Sequence, residues 1–166
     1  MPTVYLKPLI KAPAARCFDL SRSVEAHLAS TVKTGERIIG GRTQGLLELG
    51  DTVTWEARHL YIRQSFTSKI TRFEPPRLFV DEMVLGAFHR FHHTHEFHDG
   101  SEGTLMLDVV DFSSPLGWVG MVADHVFLKR YLTGLLVERN RYLKEAAETE
   151  MATPKGSGEG TVVDEQ

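Results

Sequence analysis

Hydrophobic and polar residues alternate through the middle of the chain, and this period of two predicts a β-sheet with one buried face. Val53, Trp55 and Ala57 alternate with polar neighbours, and the same spacing returns in the segments that follow. The dipeptides Pro75–Pro76 and Asp99–Gly100 mark turns between segments. The pattern predicts strands over 53–58, 62–71, Leu78–Leu85, Gly86–Phe97 and Thr104–Phe112.

In the first forty residues, strand-like and helix-like patterns follow one another. It predicts a strand over Thr3–Ile10, short helices over Ala14–Leu20 and Val24–Ala29, and a short strand within Gly35–Gly41. Pro13 suits the start of the first helix, and Ser21 is a candidate cap for the second. Two short helices directly after a first strand are a distinctive order.

The C-terminal part of the chain has a helical period. Apolar residues recur every three or four positions from Leu116 to about Ala147. A helix of that length would extend roughly 45 Å, so we expect it to lie across the sheet. Residues 149–166 are rich in Gly, Ser and charged residues, which predicts a disordered tail after a single domain over residues 1–148.

These elements predict an α+β fold. A curved antiparallel sheet of about six to seven strands would wrap around the long C-terminal helix. Because many strands and a single helix do not easily close a dry core, we expect a cavity between them, and cavities of this kind are the usual binding sites.

An ordered set of short motifs runs through the predicted elements. Its members are Leu49-Gly50-Asp51, Arg58-His59, Phe73 with Pro75-Pro76, Phe79 with Asp81, Gly86 with Phe88, His93-x-His95-x-Phe97, Thr104-x-Met106-x-Asp108 and Pro115-Leu116-Gly117. Over about Tyr5–Ala147, the set resembles the START-like helix-grip superfamily, also called SRPBCC, which includes the birch pollen allergen proteins. Within it the chain is most similar to small bacterial single-domain ligand-binding members.

The chain departs from the family pattern at two turns. Ala87 stands where proline is usual, and Leu60-Tyr61 stands where Phe-Gly is usual. The resemblance implies a helix-grip fold with an apolar cavity. It implies no reaction, because the superfamily spans lipid carriers, hormone receptors and polyketide cyclases.

Four of the eight histidines fall within the predicted strand Gly86–Phe97. Because side chains alternate along a strand, His89, His93 and His95 share a face, while Phe88 falls on the other. Two imidazoles at this spacing can reach one metal ion, with His89 or Asp108 as a further ligand. The alternative is that the histidines hydrogen-bond polar groups inside a cavity. We favour the second interpretation and expect neither a metal nor a cofactor.

Asp108 occupies the strand that follows the Asp99–Gly100 hairpin. The two faces of strand 104–112 are equally apolar, so the pattern leaves open which of them lines the cavity. If Asp108 points inward it needs a partner, and His93 or His95 is the nearest by strand adjacency. An Asp–His pair can fix a cavity wall or serve as a general acid–base couple. His93, His95 and Asp108 are therefore the candidate catalytic residues.

The candidate ligand contacts combine aromatic and polar side chains of the strands with aromatic residues of the long helix. They are Trp55, Phe66, Phe91, His93, His95, Phe97, Met106, Asp108, Phe127 and Tyr131.

Composition narrows the class of protein. The net charge of −3 gives no reason to expect a nucleic-acid partner. The single cysteine, Cys17, cannot form an intramolecular disulfide, and we expect it to be a buried, inert thiol. No apolar run reaches the length of a membrane span. The first residues lack a basic region followed by an apolar core, so we expect no signal peptide. We expect a cytoplasmic protein, and the sequence does not define its oligomeric state.

The resemblance and the candidate site residues together lead to three functional hypotheses. The first hypothesis is a binding protein, non-enzymatic or not demonstrably enzymatic, for a small hydrophobic ligand such as a lipid, isoprenoid or polyketide. The second is a cyclase or aromatase in which an Asp–His pair assists proton transfer. The third is a regulatory interaction protein of cell division or stress, which a cavity filled by side chains would favour.

Overall fold

The structure is a computed structural model that describes residues 2–59, 61–114 and 127–152. In these ranges eight strands form one antiparallel sheet. The strands are β1 (Thr3–Leu6), β2 (Leu9–Ile10), β3 (Arg37–Gly41), β4 (Thr52–His59), β5 (Ile62–Glu74), β6 (Leu78–Leu85), β7 (Arg90–Gly100) and β8 (Gly103–Ser113). Their order across the sheet is β1-β8-β7-β6-β5-β4-β3, and β2 also pairs with β8.

The described helices are α1 (Ala14–Ser21), α2 (Val24–Ser30), the 3₁₀ helix Val32–Thr34, and α3 (Lys129–Ala152). The cap of α2 is Ser23, whose hydroxyl accepts from the Ala26 amide at 3.2 Å. The prediction of Ser21 as this cap is therefore wrong, because Ser21 still belongs to α1. The two short helices lie where the sequence predicts them.

Helix α3 extends about 36 Å at 1.5 Å per residue. It continues to Ala152, so the predicted boundary between domain and tail at residue 148 falls inside the helix. The predicted helical segment 116–126 and the tail beyond residue 152 lie outside the described residues. None of the described helices is long and apolar enough to cross a membrane.

The strand that contains the histidines starts later than predicted. It begins at Arg90, and Gly86–His89 form a bend before it. The predicted face assignment is therefore wrong for two residues. His89 is exposed outside the strand. Phe88 packs inward, with its ring centroid 5.4 Å from that of Phe91 and 6.0 Å from that of Phe112.

The strands β7 and β8 each have one buried face, and their pairing register determines which side chains lie next to each other on it. In β7 the buried residues are His93, His95 and Phe97. Along β8 the buried face is the one that carries Met106 and Asp108. The β7–β8 hairpin depends on Gly103, which has a φ of +127° and where a Cβ would collide with the Ile10 carbonyl oxygen.

Apolar packing closes one end of the space between sheet and helices. Phe18 of α1 contacts the rings of Phe73, Phe79 and Phe97, with centroids 5.5–5.6 Å apart. Met106 joins the same cluster, as do residues from the C-terminal half of α3. Such tilted and edge-to-face aromatic contacts fill space densely. The other end of the space stays open, and the candidate site lies there.

Candidate functional site

The sheet, α1–α2 and the N-terminal half of α3 surround a cavity of about 210 Å³ in the described part of the chain. Its wall is mostly apolar. The apolar lining residues are Leu47, Trp55, Ala57, Phe66, Ile70, Phe79, Ala87, Phe88, Phe91, Leu132, Leu135 and Leu136. A volume of this size corresponds to about seven waters at about 30 Å³ each.

One wall of the cavity carries a cluster of four side chains, which we call the Asp–His cluster. His93, His95 and Asp108 are buried, and Asp81 is partly exposed. Asp81 of β6 pairs in register with His93 of β7, and His95 pairs with Asp108 of β8. Three neighbouring strands therefore bring the four side chains together. His93 and His95 stand two residues apart on the same face, with ring centroids 3.8 Å apart.

Asp108 lies behind the histidines and has no exposed surface. Its Oδ1 accepts a short hydrogen bond from Nε2 of His93. Nδ1 of His95 lies 3.0 Å from the same oxygen. One carboxylate oxygen thus faces both imidazole rings from the side away from the cavity.

Asp81 faces the same rings from the cavity side. Its Oδ2 lies 3.0 Å from Nε2 of His95 and 3.7 Å from Nδ1 of His93. Asp81 itself lines the cavity, whereas Asp108 does not. Each histidine therefore lies between the carboxylate of Asp81 at the cavity and that of Asp108 behind it.

The pKa values of the two histidines shift in opposite directions. Burial disfavours the charged form of His95, but Asp108 and then Asp81 outweigh it and raise the pKa of His95. Burial and the neighbouring His95 lower the pKa of His93. Burial also opposes the Asp108 carboxylate, but His93 and His95 hold its pKa well below the usual range. These shifts favour a charged His95 beside a neutral His93.

Arg139 of α3 adds a cation behind the cluster. Its Nη1 lies 3.6 Å from Oδ2 of Asp108, and its Nη2 donates to the Ser21 carbonyl at 3.0 Å. Among the described residues Asp108 Oδ2 accepts no hydrogen bond. Arg139 also lines the cavity, so the helix supplies a positive charge close to the cluster.

A second polar patch lies elsewhere on the cavity wall. Nε2 of His27 lies 2.7 Å from Oε2 of Glu36, and the His27 ring stacks on Trp55 with centroids 4.1 Å apart. Burial opposes the Glu36 carboxylate, but His27 outweighs it and lowers the pKa of Glu36. His59 lines the cavity beside them, and its Nδ1 lies 2.9 Å from the Tyr131 hydroxyl.

The predicted ligand contacts divide into groups. Five of them line the cavity, namely Trp55, Phe66, Phe91, His93 and His95. Asp108 lies one layer behind them. Phe97 and Met106 are buried in the closed aromatic core rather than at the cavity, because that end is filled by Phe18 and its neighbours. Phe127 is half exposed and stacks on Tyr131, and Tyr131 reaches the cavity only through its contact with His59.

Sequence reasoning did not select Asp81 or Arg139. Asp81 belongs to the motif Phe79-x-Asp81, and a hairpin register between β6 and β7 would have placed it opposite His93. Arg139 gives no local signal, because charged residues recur along α3 and only the packed structure shows that this one is buried. Of the two, Asp81 was the one that the sequence could have revealed.

Comparisons with known proteins identify the architecture. No protein-family model matches the sequence, and no curated protein matches it significantly. Among solved structures, TTHA0849 from Thermus thermophilus superposes with a TM-score of 0.72 at 14% identity, covering 90% of this chain and 99% of that one. Ginseng major latex-like protein 151 from Panax ginseng gives a TM-score of 0.64 at 14% identity, with 88% and 97% covered.

A third similar structure is the di-domain ARO/CYC StfQ from the steffimycin biosynthetic pathway. It gives a TM-score of 0.73 at 11% identity and matches 91% of this chain. The match covers 52% of StfQ, which is about half of that two-domain protein. At these identities the similarities show a shared fold.

Proposed function

We propose that this chain, which has the START-like helix-grip fold, binds a small, mostly apolar molecule in the cavity between the sheet and α3. The observation that carries the proposal is the cavity itself, an apolar space with one polar wall. Core packing normally leaves few voids larger than a water molecule. A retained cavity of about 210 Å³ therefore favours binding over a purely structural role.

The size of the cavity narrows the ligand class. Pockets that bury drug-sized ligands usually measure about 300–1,000 Å³. The cavity of about 210 Å³ is below that range, so a ligand with one or two rings fits better than a sterol or a long-chain lipid. Trp55, Phe66 and Phe91 provide aromatic faces, which suit a flat ring.

The polar end of the ligand would face the Asp–His cluster. The raised pKa of His95 favours its charged form, and Arg139 lies on the same wall. Both groups favour a ligand oxygen with a strong dipole, and together they offset the carboxylate of Asp81, which also faces the cavity, when that oxygen is charged. We therefore expect a small aromatic acid, phenol or ketone rather than an amine.

Native mass spectrometry of the full chain with a size-graded panel tests this proposal. The panel consists of benzoate, 2-naphthoate, palmitate and deoxycholate. We expect a one-to-one adduct with 2-naphthoate and none with deoxycholate. An absence of adducts across the panel, or a preference for deoxycholate, would contradict the proposed ligand class.

A second candidate function is an enzyme of the cyclase or aromatase kind. The observation that favours it is the hydrogen-bonded Asp–His cluster, which offers a group able to hold or accept a proton at the cavity wall. The ARO/CYC protein StfQ has the same fold, which makes a polyketide-like substrate a reasonable choice. The third hypothesis, a regulatory interaction protein, receives no support from an open cavity.

Incubation with a short poly-β-keto thioester separates the first two functions. An enzyme would cyclise this substrate with loss of water, and mass spectrometry of the products detects that loss. His95→Gln should abolish the conversion and weaken substrate binding much less, because the apolar wall supplies most of the contact. If the wild-type chain binds the thioester without converting it, the binding function stands and the enzymatic one fails.

A further inference from the structure

We propose that Asp81, His93 and His95 form a binding site for one divalent transition-metal ion such as Zn²⁺ or Fe²⁺. The proposal adds a metal to the Asp–His cluster and does not depend on the identity of an organic ligand. Three observations support it. A nitrogen of each ring faces Asp81, the carboxylate of Asp108 lies behind the rings, and the site faces the cavity.

The distances between donor atoms suit a single ion. Oδ2 of Asp81 lies 3.0 Å from Nε2 of His95 and 3.7 Å from Nδ1 of His93. The ligating atoms of the three residues all lie within 4.8 Å of one another. For bonds of about 2.1 Å at tetrahedral or octahedral angles, neighbouring ligand atoms stand about 3.0–3.4 Å apart. Small side-chain adjustments would bring all three atoms into that range.

Asp108 acts on the opposite nitrogen of each ring. Nε2 of His93 donates to Oδ1 of Asp108, so the lone pair of a neutral His93 is on Nδ1, the nitrogen that faces Asp81. Nδ1 of His95 faces the same Asp108 oxygen at 3.0 Å, which leaves its Nε2 toward Asp81. Metal-ligating histidines typically donate their other N–H to a carboxylate, as His93 does here. Asp108 therefore orients the His93 ring by a hydrogen bond, whereas Nδ1 of His95 only lies close to the same oxygen and makes no hydrogen bond with the described residues.

The three atoms on the cavity side can accept a cation between them. With the far nitrogens turned toward Asp108, two ring nitrogens and a carboxylate oxygen converge at the cavity wall. Without an ion, the proton of the hydrogen bond between Nε2 of His95 and Oδ2 of Asp81 lies between the lone pairs of these two atoms. A metal ion would take the place of that proton and bind all three atoms.

The donor set indicates the class of ion. Two imidazoles with one carboxylate are typical of Zn²⁺, Fe²⁺ and related ions, whereas Mg²⁺ and Ca²⁺ prefer oxygen ligands. Three protein ligands leave further coordination positions free. Since Asp81, His93 and His95 all line the cavity, those positions would face it. An ion held here could contact a molecule in the cavity directly.

The sequence alone predicts a different arrangement. It offers His89 or Asp108 as the third ligand and favours a site without metal. His89 lies outside β7 and is exposed, and Asp108 faces the far side of the rings. Asp81 supplies the third ligand instead, because the β6–β7 register sets it opposite His93.

Titration of the tag-free, chelator-treated full chain with Co²⁺ alone tests the proposal. Co²⁺ replaces Zn²⁺ at such sites and gives visible absorption that reports nitrogen and oxygen ligands. We expect one ion per chain for the wild type and more than about 100-fold weaker binding for Asp81→Asn and His95→Gln, since even outer partners of ligands contribute about 10–100-fold. Asp108→Asn should lose about 10–100-fold.

The matched control is the pair of His92 and Glu82 on the other face of the same two strands. Nε2 of His92 lies 3.7 Å from Oε1 of Glu82, so this face also presents a histidine and a carboxylate. His92→Gln should keep the wild-type affinity for Co²⁺. If the wild type binds no stoichiometric Co²⁺, or if His92→Gln and Asp81→Asn weaken binding equally, the proposed site is wrong.

A second measurement covers the case in which a cluster variant fails to fold. An ion that binds only the folded chain raises the midpoint of thermal unfolding. We expect Zn²⁺ to raise this midpoint for the wild type at a concentration at which Mg²⁺ does not. An equal response to the two ions, or none to Zn²⁺, would overturn the proposal.

Discussion

Asp108 carries a charge that has no contact with solvent, so neighbouring side chains must balance it. His93 and His95 lie on one side, and Arg139 approaches its other oxygen to 3.6 Å. An unpaired carboxylate in such a place is strongly unfavourable. The cluster is therefore a unit in which each member stabilises the others.

Arg139→Met tests this coupling. The variant keeps an apolar side chain of similar length, but it removes the cation that faces Oδ2 of Asp108 and the bond to the Ser21 carbonyl. We expect the free energy of unfolding to fall by about 3 kcal/mol, as for other broken buried ion pairs. Urea denaturation followed by circular dichroism measures the change.

Arg141→Met is the control on the same helix. Arg141 is exposed, and its ion pair with Glu138, at 3.2 Å, lies in solvent. Its loss should change stability by less than about 1 kcal/mol. Similar losses in the two variants would mean that Arg139 acts through helix packing and not through Asp108.

Glu36 gives a prediction about pH. Its pKa is lower in the folded chain than the ordinary value of 4.5, so the folded state favours the carboxylate. The resulting stabilisation is complete above the unfolded pKa and is lost as the pH falls through the folded pKa. Glu36→Gln should therefore reduce stability at pH 7, by about 1 kcal/mol, and have a smaller effect below pH 4.5.

Urea denaturation of the wild type and of Glu36→Gln at neutral and acidic pH gives the comparison. Glu145→Gln, at an exposed position of α3, serves as the control. Its effect should be small at both pH values. A Glu36→Gln effect that grows toward acidic pH would show that the sign of the pKa shift is wrong.

For single residues, the sequence placed His93 and His95 on one face and named Asp108 as their partner only if it points inward. The structure shows that it does, because the β7–β8 register and the buried face of β8 bring the three side chains together. The sequence could not predict that Phe97 and Met106 belong to the closed core. Residues on one strand face look alike in sequence, and only the position of α1 decides which end of the face is filled.

The elements show how turns limit what a sequence pattern can predict. Leu78–Leu85 has the predicted bounds, since a proline turn precedes it and Gly86 follows. The next strand starts four residues later than predicted, at Arg90. The alternation from Arg90 onward does not by itself show where the strand begins, and the bend Gly86–His89 directly before it has no residue that marks its end.

The β4–β5 turn carries an unusual residue. Tyr61 has a φ of 67°, in the left-handed region that favours glycine, and its side chain is 91% exposed. The resemblance described for the sequence implies glycine at this position. A residue with a Cβ costs roughly 1–2 kcal/mol in this conformation.

Tyr61→Gly should therefore stabilise the chain. Relief of backbone strain outweighs the extra freedom that glycine adds to the unfolded state, which costs about 0.5–1 kcal/mol. We expect a net gain of up to about 1 kcal/mol, or about 2–4 °C in the midpoint of thermal unfolding. Calorimetry measures it. Tyr61→Ala keeps the Cβ and should give no gain, and an equal gain in both variants would assign the effect to the exposed ring.

For the whole molecule, the order of elements was sufficient to predict the fold. A strand, two short helices, a run of antiparallel strands and a long helix occur in the predicted order, and the sheet and helices match a helix-grip architecture. The number of strands and the end of α3 were harder to predict, because Pro8 separates β1 from β2 and the helix continues past the last residue of the apolar stripe.

The cavity is a property that no local pattern shows. Its size depends on how far α3 stands from the sheet and on where the aromatic core ends. Phe18, Phe79 and Phe97 close one side, and Trp55 and Phe91 remain at the open side. The claim that this space receives a small ligand therefore has to be tested by changing the space itself.

Calorimetric titration of 2-naphthoate into the wild type, Ser68→Leu and Thr71→Leu makes that test. Ser68 lines the cavity, and Thr71 lies on the exposed face of the same strand. We predict saturable one-to-one binding with a negative heat-capacity change for the wild type. Because the added leucine occupies the cavity, Ser68→Leu should bind at least about tenfold more weakly, equivalent to about 1.4 kcal/mol. Thr71→Leu should bind like the wild type. Equal affinity in Ser68→Leu and the wild type, or no binding to the wild type, would contradict the proposal that this cavity is the binding site.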